Sequence, residues 1–156
     1  MSSPKLLKGR TSSCGACYLV TTVLHRRARL FSSPIPARLV IEEMRRIEAQ
    51  GGVISIAWVL MPDHLHWLLQ LEEGSLSRCV QAFKSCTARA INAAEGREGP
   101  VWQAGFHDRR LRREDDLLLQ ARYVIANPLR GGLVERIEDY PYWACRWNVH
   151  GSDLVL

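Results

Sequence analysis

The distribution of apolar residues in the first half of the chain predicts two kinds of element. Residues 17–24 are rich in β-branched and aromatic side chains, which favours a strand. Apolar residues then recur at helical spacing through residues 34–50, where Ser32-Ser33-Pro34 is expected to cap the helix and two glycines to end it. Residues 53–60 and 64–71 are strongly apolar and are joined by a tight corner, so they predict a β-hairpin.

The second half of the chain predicts two further helices and an extended segment. Ser75 precedes a helical pattern of about twenty residues and is expected to cap it. Residues 101–111 are expected to be extended, with an interruption at Gly105, and residues 113–127 predict a helix that ends at Pro128. The order strand, helix, two strands, helix, strand, helix is typical of an α+β fold with an antiparallel sheet and helices packed on it.

The length and composition favour one globular domain. The chain has 156 residues, of which 47% are hydrophobic and 24% are charged, which excludes a wholly disordered protein. Residues 1–156 are therefore expected to form a single domain, with residues 1–16 flexible and residues 133–156 forming a tail that packs on or near the body. The tail carries the aromatic side chains expected to pack there, Tyr140, Tyr142, Trp143 and Trp147.

The basic residues indicate an anionic partner. Lys and Arg number 21 against 16 Asp and Glu, and 18 of the 21 are Arg, whose planar guanidinium matches phosphate geometry. Two clusters are candidates for contacts with DNA phosphates, although a charge run is also typical of a solvated surface. They are Arg26, Arg27 and Arg29 after the first strand, and Arg109, Arg110, Arg112 and Arg113 before the third helix.

The sequence indicates a cytoplasmic protein. The first residues lack the apolar core of a signal peptide, and the longest apolar run is far shorter than the ~20 residues that span a bilayer. Five cysteines are an odd, scattered set, which suits a reducing compartment better than a disulfide framework. Cys14 and Cys17 form a Cys-x-x-Cys pair, but neither a second pair nor a following helix supports a zinc or redox site.

Two histidines of the hairpin form a candidate metal site. His64 and His66 are two apart on a predicted strand, so they project from one face while Leu65 and Trp67 project from the other. Two imidazoles held at a fixed separation suit a divalent metal. The alternative is a hydrogen-bonded pair without a metal.

The third helix offers a further ligand and a nucleophile. Tyr123 and Asn127 are four apart and therefore lie on one helix face. The Asn127 side-chain carbonyl can coordinate a hard cation from the last helical turn. The alternatives are a hydrogen-bonded Tyr123 in the core or at its rim, and Asn127 as a helix cap.

Three segments occur in the order and spacing of a known family. MPDHLHWLLQL, VWQAGFHDRRLR and ARYVIANPLRGGLV resemble the single-tyrosine HUH transposases of small bacterial insertion sequences, and the REP-associated tyrosine transposase branch above all. The resemblance covers residues 17–147 and implies a ferredoxin-like antiparallel sheet with flanking helices. The chain departs from it at Asp63, where Asn is more usual, at Gly131, where Ala is common, and in lacking a His in the first strand.

The resemblance implies a metal-dependent enzyme that acts on DNA. His64, His66 and Asn127 would hold Mg²⁺ or Mn²⁺, and Tyr123 would cleave a single-stranded or hairpin DNA through a 5′-phosphotyrosine and allow rejoining. Arg130, in the third segment, joins the two arginine clusters as a DNA-binding candidate. No membrane or small-molecule substrate is expected, and a monomer is favoured over a dimer.

Two other functions remain open at this point. One is a regulator that binds hairpin DNA without cutting it, and the other is a metal-dependent hydrolase that uses water as the nucleophile. A covalent bond between DNA and Tyr123 distinguishes the transposase from both.

Overall fold

A computed structural model describes residues 12–154, apart from the side chains of residues 114 and 115. The strands are β1 (Cys17–Val23), β2 (Val53–Met61), β3 (His64–Leu71), β4 (His107–Leu111) and β5 (Trp143–Cys145). The helices are α1 (Pro34–Ala49), α2 (Leu76–Glu95), α3 (Glu114–Ile125) and the single turn α4 (Asn127–Arg130).

The five strands form one antiparallel sheet in the order β4-β1-β3-β2-β5. The first four strands have the ferredoxin-like order, which confirms the predicted α+β fold class. Strand β3 lies at the centre and pairs with β1 and β2 along its whole length, so His64 lies between Val23 on one side and Met61 on the other. Both neighbours of β3 satisfy its backbone groups, and its two ends are therefore fixed in register.

Each face of the sheet is covered by a separate hydrophobic cluster. On one face, Leu65 and Trp67 of β3 pack with α1 and α2, where Val40 and Phe83 are fully buried. On the other face, Leu68 packs with β2 and with Val124 of α3. The alternation of β3 therefore places His64 and His66 on the α3 face, as their spacing predicts.

The helix ends agree with the sequence only in part. Ser75 caps α2 as predicted, because its Oγ accepts a hydrogen bond of 3.2 Å from the Arg78 backbone N–H. Ser33 precedes α1, but its side chain makes no capping hydrogen bond. The helix thus begins at the predicted Ser32-Ser33-Pro34 segment, with Ser33 in the N-cap position and Pro34 in the first turn, where no backbone N–H is needed.

The third helix is shorter than predicted. It ends at Ile125, and Pro128 lies within the first turn of α4 instead of terminating the helical path. Proline lacks a backbone N–H and has a fixed φ, so it fits the start of a helix as well as a position after its end. Asn127 is consequently the first residue of α4, and not part of the last turn of α3.

The extended segments also differ in their bounds. Within residues 101–111 only His107–Leu111 forms a strand, while Trp102 makes an isolated bridge with Leu24. Strand β5 was not expected, because three residues are too few for a pattern, and it forms a sheet edge beside β2.

Both ends of the described chain contact the body. The Ser12 Oγ accepts a hydrogen bond from the Leu76 N–H, and the Ser13 N–H donates to the Tyr18 hydroxyl. Residues 1–11, which include most of the segment expected to be flexible, lie outside the described residues. In the tail, the buried Tyr140 hydroxyl donates a hydrogen bond of 2.6 Å to the Leu60 carbonyl, and burial raises its pKa to about 12.

Within residues 12–154, no helix is long and apolar enough to cross a membrane. All five cysteines are free thiols. Of the Cys-x-x-Cys pair, Cys14 is exposed and Cys17 is buried.

The hydrogen bond from Tyr140 to Leu60 should anchor the tail to β2. Replacing Tyr140 by Phe is expected to lower the free energy of unfolding by about 1 kcal/mol, because the bond is lost in a buried site while the ring still packs. Urea denaturation followed by tryptophan fluorescence measures the change. Tyr142→Phe is the control, since no hydrogen bond of its hydroxyl is found among the described residues, and an equal loss in both variants would contradict the anchoring role.

Candidate active site

The two histidines of β3 form the centre of the candidate site. Their ring centroids are 4.8 Å apart and the ring planes meet at 85°. Both rings are half-buried under α3, on the face opposite Leu65 and Trp67. The spacing and the shared face agree with the sequence prediction.

Each ring is held by a hydrogen bond at Nδ1. The His64 Nδ1 lies 2.7 Å from Oδ1 of Asp63, and the His66 Nδ1 lies 2.9 Å from the hydroxyl of Thr21 on β1. Nε2 of each ring is then the nitrogen left for a metal, and ligand histidines in proteins are commonly fixed in this way. Burial, together with the charges of His64 and Arg130, lowers the pKa of His66 to about 4, so its ring is neutral at pH 7.

Asp63 is an ionised neighbour of this pair. Burial by itself would raise the pKa of its carboxyl group, but hydrogen bonds from His64 and Arg27 outweigh that effect and lower the pKa. A carboxylate one residue before His64 was noted in the sequence only as a departure from the family pattern. The hydrogen bond between Asp63 and the His64 ring could not be predicted from the sequence, because it depends on the geometry of the turn. The hydrogen bond between Thr21 and His66 depends on the register of β1 against β3, which the sequence does not show either.

A third ligand from the protein would have to come from α4. Among the described residues, no group of three or more His, Cys, Asp and Glu side chains is placed to hold a metal. The half-buried Asn127 uses its side-chain N–H₂ to donate to the Val124 carbonyl at 2.8 Å, which leaves its amide oxygen as a potential ligand. Two imidazoles and one amide oxygen suit Mn²⁺ and, with water completing the shell, Mg²⁺, so the chemistry of these residues fits a divalent cation.

Helix α4 packs against the end of the hairpin that carries the histidines. A methyl group added at Gly131, directly after α4, would lie 3.4 Å from Cε of Met61, the strand neighbour of His64. It would lie 3.3 Å from the Asn127 carbonyl, so an alanine would fit there after a small adjustment. The departure at Gly131 therefore leaves the position of Asn127 unaffected.

Tyr123 is exposed on α3 and is contacted by Arg130. The tyrosine is 58% exposed, and the Arg130 guanidinium carbon lies 3.8 Å from the ring centroid. Arg130 also donates a hydrogen bond of 2.8 Å to the Tyr123 carbonyl. The positive charge of Arg130 also contributes to the lowered pKa of His66, so this arginine influences both the tyrosine ring and the histidine pair. Cation–π contacts of this kind restrict the ring as well as attracting the cation.

A groove of about 630 Å³ runs between β4 and α3 and ends at Tyr123. The four arginines of the second cluster, Arg109, Arg110, Arg112 and Arg113, line it together with Leu119 and Gln120. The Arg109 guanidinium donates to the Gln120 side-chain oxygen, which ties β4 to α3. Strand β4 ends at Leu111, so Arg112 lies beyond the strand and does not share a strand face with Arg110.

The arginines of the first cluster lie elsewhere. Arg26, Arg27 and Arg29 are exposed in the turns after β1 and do not line the groove. Arg27 forms an ion pair with Asp63 at 3.2 Å, and Arg29 lies close enough to Tyr140 for its charge to oppose the rise in that pKa. The structure therefore brings the second cluster to Tyr123 and the first cluster to the surroundings of His64 and the tail.

Comparison with known proteins identifies the family. The family model of IS200-like transposases matches residues 13–124. A REP-associated tyrosine transposase of Escherichia coli K12 is 30% identical over 130 residues, covering 82% of this chain and 74% of the relative. A protein of Haemophilus influenzae that carries the same name provisionally is 28% identical over 143 residues, covering 82% of this chain and 78% of the relative.

The chain therefore belongs to the IS200-like transposase family, as its three motifs predict. A solved structure of a REP-associated tyrosine transposase bound to a REP hairpin has the same fold, with a TM-score of 0.68 at 24% identity, over 86% of this chain and 79% of the other. Transposases of this family are in general metal-dependent.

The histidine pair should bind Mn²⁺ in solution. Replacing His64, His66 or Asn127 by Ala is expected to weaken Mn²⁺ binding by at least about tenfold, since even the hydrogen-bond partners of metal ligands contribute that much. Isothermal titration calorimetry of each variant measures the affinity. The Cys14→Ser, Cys17→Ser double variant is the control and should bind Mn²⁺ with the affinity of the wild type. If the histidine variants also bound Mn²⁺ with wild-type affinity, the two rings would not be metal ligands.

Proposed function

We propose that this protein is a tyrosine transposase that cleaves and rejoins hairpin-bearing single-stranded DNA through a 5′-phosphotyrosine intermediate. The observation that carries the proposal is an exposed tyrosine in an arginine-lined groove, together with a pair of histidines that face the same helix α3. Membership of a transposase family supports the same chemistry.

Tyr123 is the proposed nucleophile. Its phenol oxygen attacks phosphorus, a bond from tyrosine oxygen to phosphorus forms, and the bond to the 3′ oxygen breaks to release a 3′-hydroxyl. The phenol loses its proton and the departing 3′ oxygen gains one, so the step balances, while the Arg130 guanidinium packs on the tyrosine ring. The phosphotyrosine keeps the energy of the broken bond, so a free 3′-hydroxyl reverses the reaction and joins strands without ATP.

His64, His66 and Asn127 are the residues that would hold Mg²⁺ or Mn²⁺. When bound, such a cation neutralises charge on a non-bridging phosphate oxygen and so assists attack on a negatively charged diester. The two Nδ1 hydrogen bonds keep both rings oriented before binding. Gly131, directly after α4, lies close to Met61, the strand neighbour of His64, which supports a position for Asn127 near the same rings.

The proposed substrate is DNA that is single-stranded at the cleavage point and carries a hairpin next to it. The groove suits one unpaired strand, because four arginines attract phosphates and Leu119 offers an apolar contact for a base. A relative of the same fold is bound to a REP hairpin, which supports a hairpin as the recognition element. Arg130, Arg26 and Arg29 are further candidates for phosphate contacts.

The proposed location is the cytoplasm, which agrees with five free thiols. A monomer is proposed as the active form, on the basis of the resemblance to the REP-associated branch. No membrane or small-molecule substrate is proposed.

The regulator and the hydrolase remain alternatives to the transposase. A protein that only binds hairpins does not need an exposed tyrosine stacked on arginine next to a candidate metal site. A hydrolase would use water and leave no protein attached to DNA. Denaturing gels of labelled oligonucleotides, which show whether DNA migrates with the protein, separate all three functions.

Loss of the Tyr123 hydroxyl should abolish cleavage and preserve binding. Tyr123→Phe removes one oxygen while the ring still contacts Arg130, so hairpin affinity should remain within about twofold, the range of neutral surface changes. The measurements are the covalent adduct on a denaturing gel and hairpin binding by fluorescence anisotropy. Tyr142→Phe should form the adduct normally, and an adduct in Tyr123→Phe would show that another residue is the nucleophile.

The groove arginines should act on DNA through charge. Replacing Arg110 and Arg112 by Gln is expected to weaken binding to cognate and scrambled hairpins alike, and to reduce the log–log salt slope by about one unit per lost phosphate contact. The matched control is the Arg45→Gln, Arg89→Gln double variant, which removes the same charge from exposed positions of α1 and α2. A loss confined to the cognate hairpin would instead mean that one of these arginines reads a base.

A further inference from the structure

Asp63 lies between His64 and an exposed arginine and accepts a hydrogen bond from each. Its Oδ1 is 2.7 Å from the His64 Nδ1, and its Oδ2 is 3.2 Å from the Arg27 guanidinium. The side chains of Asp63 and His64 are 20% and 19% exposed, while that of Arg27 is 66% exposed. Each carboxylate oxygen thus has its own donor, and the contact with the ring is the more sheltered of the two.

The chemistry of the acceptor determines the tautomer of the ring. A carboxylate only accepts hydrogen bonds, so Nδ1 of His64 must carry a proton, and in the neutral ring the lone pair then lies on Nε2. The hydroxyl of Thr21 can donate or accept, so it does not impose a tautomer on His66. The two rings of the pair therefore differ in how strongly their surroundings prepare them to bind a cation.

The turn that carries Arg27 is held in an unfavourable backbone conformation. Arg26 and Arg27 have φ angles of 55° and 51°, in the left-handed region that side chains with a Cβ rarely adopt. The turn is tied to the hairpin corner, since the Leu24 N–H donates to the Asp63 carbonyl at 2.9 Å and the Arg27 N–H donates to the Leu24 carbonyl at 2.9 Å. Such conformations persist where the surrounding structure holds them, and are concentrated at functional sites.

We propose that Asp63 is a positioning residue, which fixes His64 in its Nδ1–H tautomer and leaves Nε2 free for a divalent cation, and that Arg27 holds the Asp63 carboxylate in place. The proposal rests on the proposed function in taking His64 as a metal ligand. It gives Arg27 a supporting role at the histidine instead of a contact with DNA phosphate.

The tautomer is measured directly by NMR of the full chain labelled with ¹⁵N-histidine, without metal or DNA. In the wild type, His64 is expected to be protonated on Nδ1. Asp63→Ala should move it towards the Nε2–H form that free histidine prefers, while His66, which keeps Thr21, should not change. A His64 ring that stays protonated on Nδ1 in Asp63→Ala overturns the proposal.

The second measurement is Mn²⁺ affinity by calorimetry. Asp63→Ala is expected to weaken binding about 10–100-fold, as is typical when the hydrogen-bond partner of a metal ligand is lost. Arg27→Met should weaken it by no more than about fivefold, because an exposed ion pair contributes little. Glu73→Ala is the control, since it removes the same charge from an exposed position after the opposite end of β3.

Asp63→Asn keeps the proposal testable if the alanine variant does not fold. The side chain has nearly the same shape, but its amide presents either a donor or an acceptor to Nδ1, so a mixture of tautomers and a severalfold loss of Mn²⁺ affinity are expected. A wholly Nδ1–H ring with unchanged affinity in Asp63→Asn overturns the role of the carboxylate. Absence of Mn²⁺ binding by the wild type would contradict the proposed metal site instead, and the metal-free tautomer measurement keeps the two failures distinct.

Discussion

The pairing of the central strand β3 with β1 and β2 determines the arrangement of the whole site. One face of β3 presents Leu65 and Trp67 to the core under α1 and α2, and the opposite face presents the two histidines to α3. A slip of one residue would exchange these faces and bury two imidazoles in an apolar core, at a large energetic cost. The strand register that keeps the imidazoles out of the apolar core therefore also places Thr21 next to His66 and Met61 next to His64.

The interruption of the helical path between α3 and α4 determines the surroundings of Tyr123, the proposed nucleophile. Because α3 ends at Ile125 and Pro128 begins a new turn, Arg130 can reach back to the ring and the carbonyl of Tyr123. Directly after this turn, Gly131 lies close to Met61 at the end of the hairpin that carries His64. One short segment therefore approaches both Tyr123 and the hairpin.

The sequence predicted the elements and the family, because long periodic segments and three motifs are local features. The strands of the hairpin, α2 with its Ser75 cap and the common face of His64 and His66 all follow from spacing along the chain. Strand β5 has three residues and was missed, since so short a segment gains its conformation from pairing with β2 and not from its own pattern. Arg27 illustrates the same limit, because its partner Asp63 is distant in sequence and is reached only through a left-handed turn.

The position of the groove has a consequence for the kind of strand that can enter it. One wall is β4, an edge strand that pairs only with β1 among residues 12–154, so within this part of the chain no further element lines the outer side of the groove. If this groove holds DNA as proposed, a strand would enter it sideways along its length instead of being threaded from an end. A closed tunnel would demand a free terminus, whereas a groove open on one side would admit an internal stretch of DNA once it becomes unpaired.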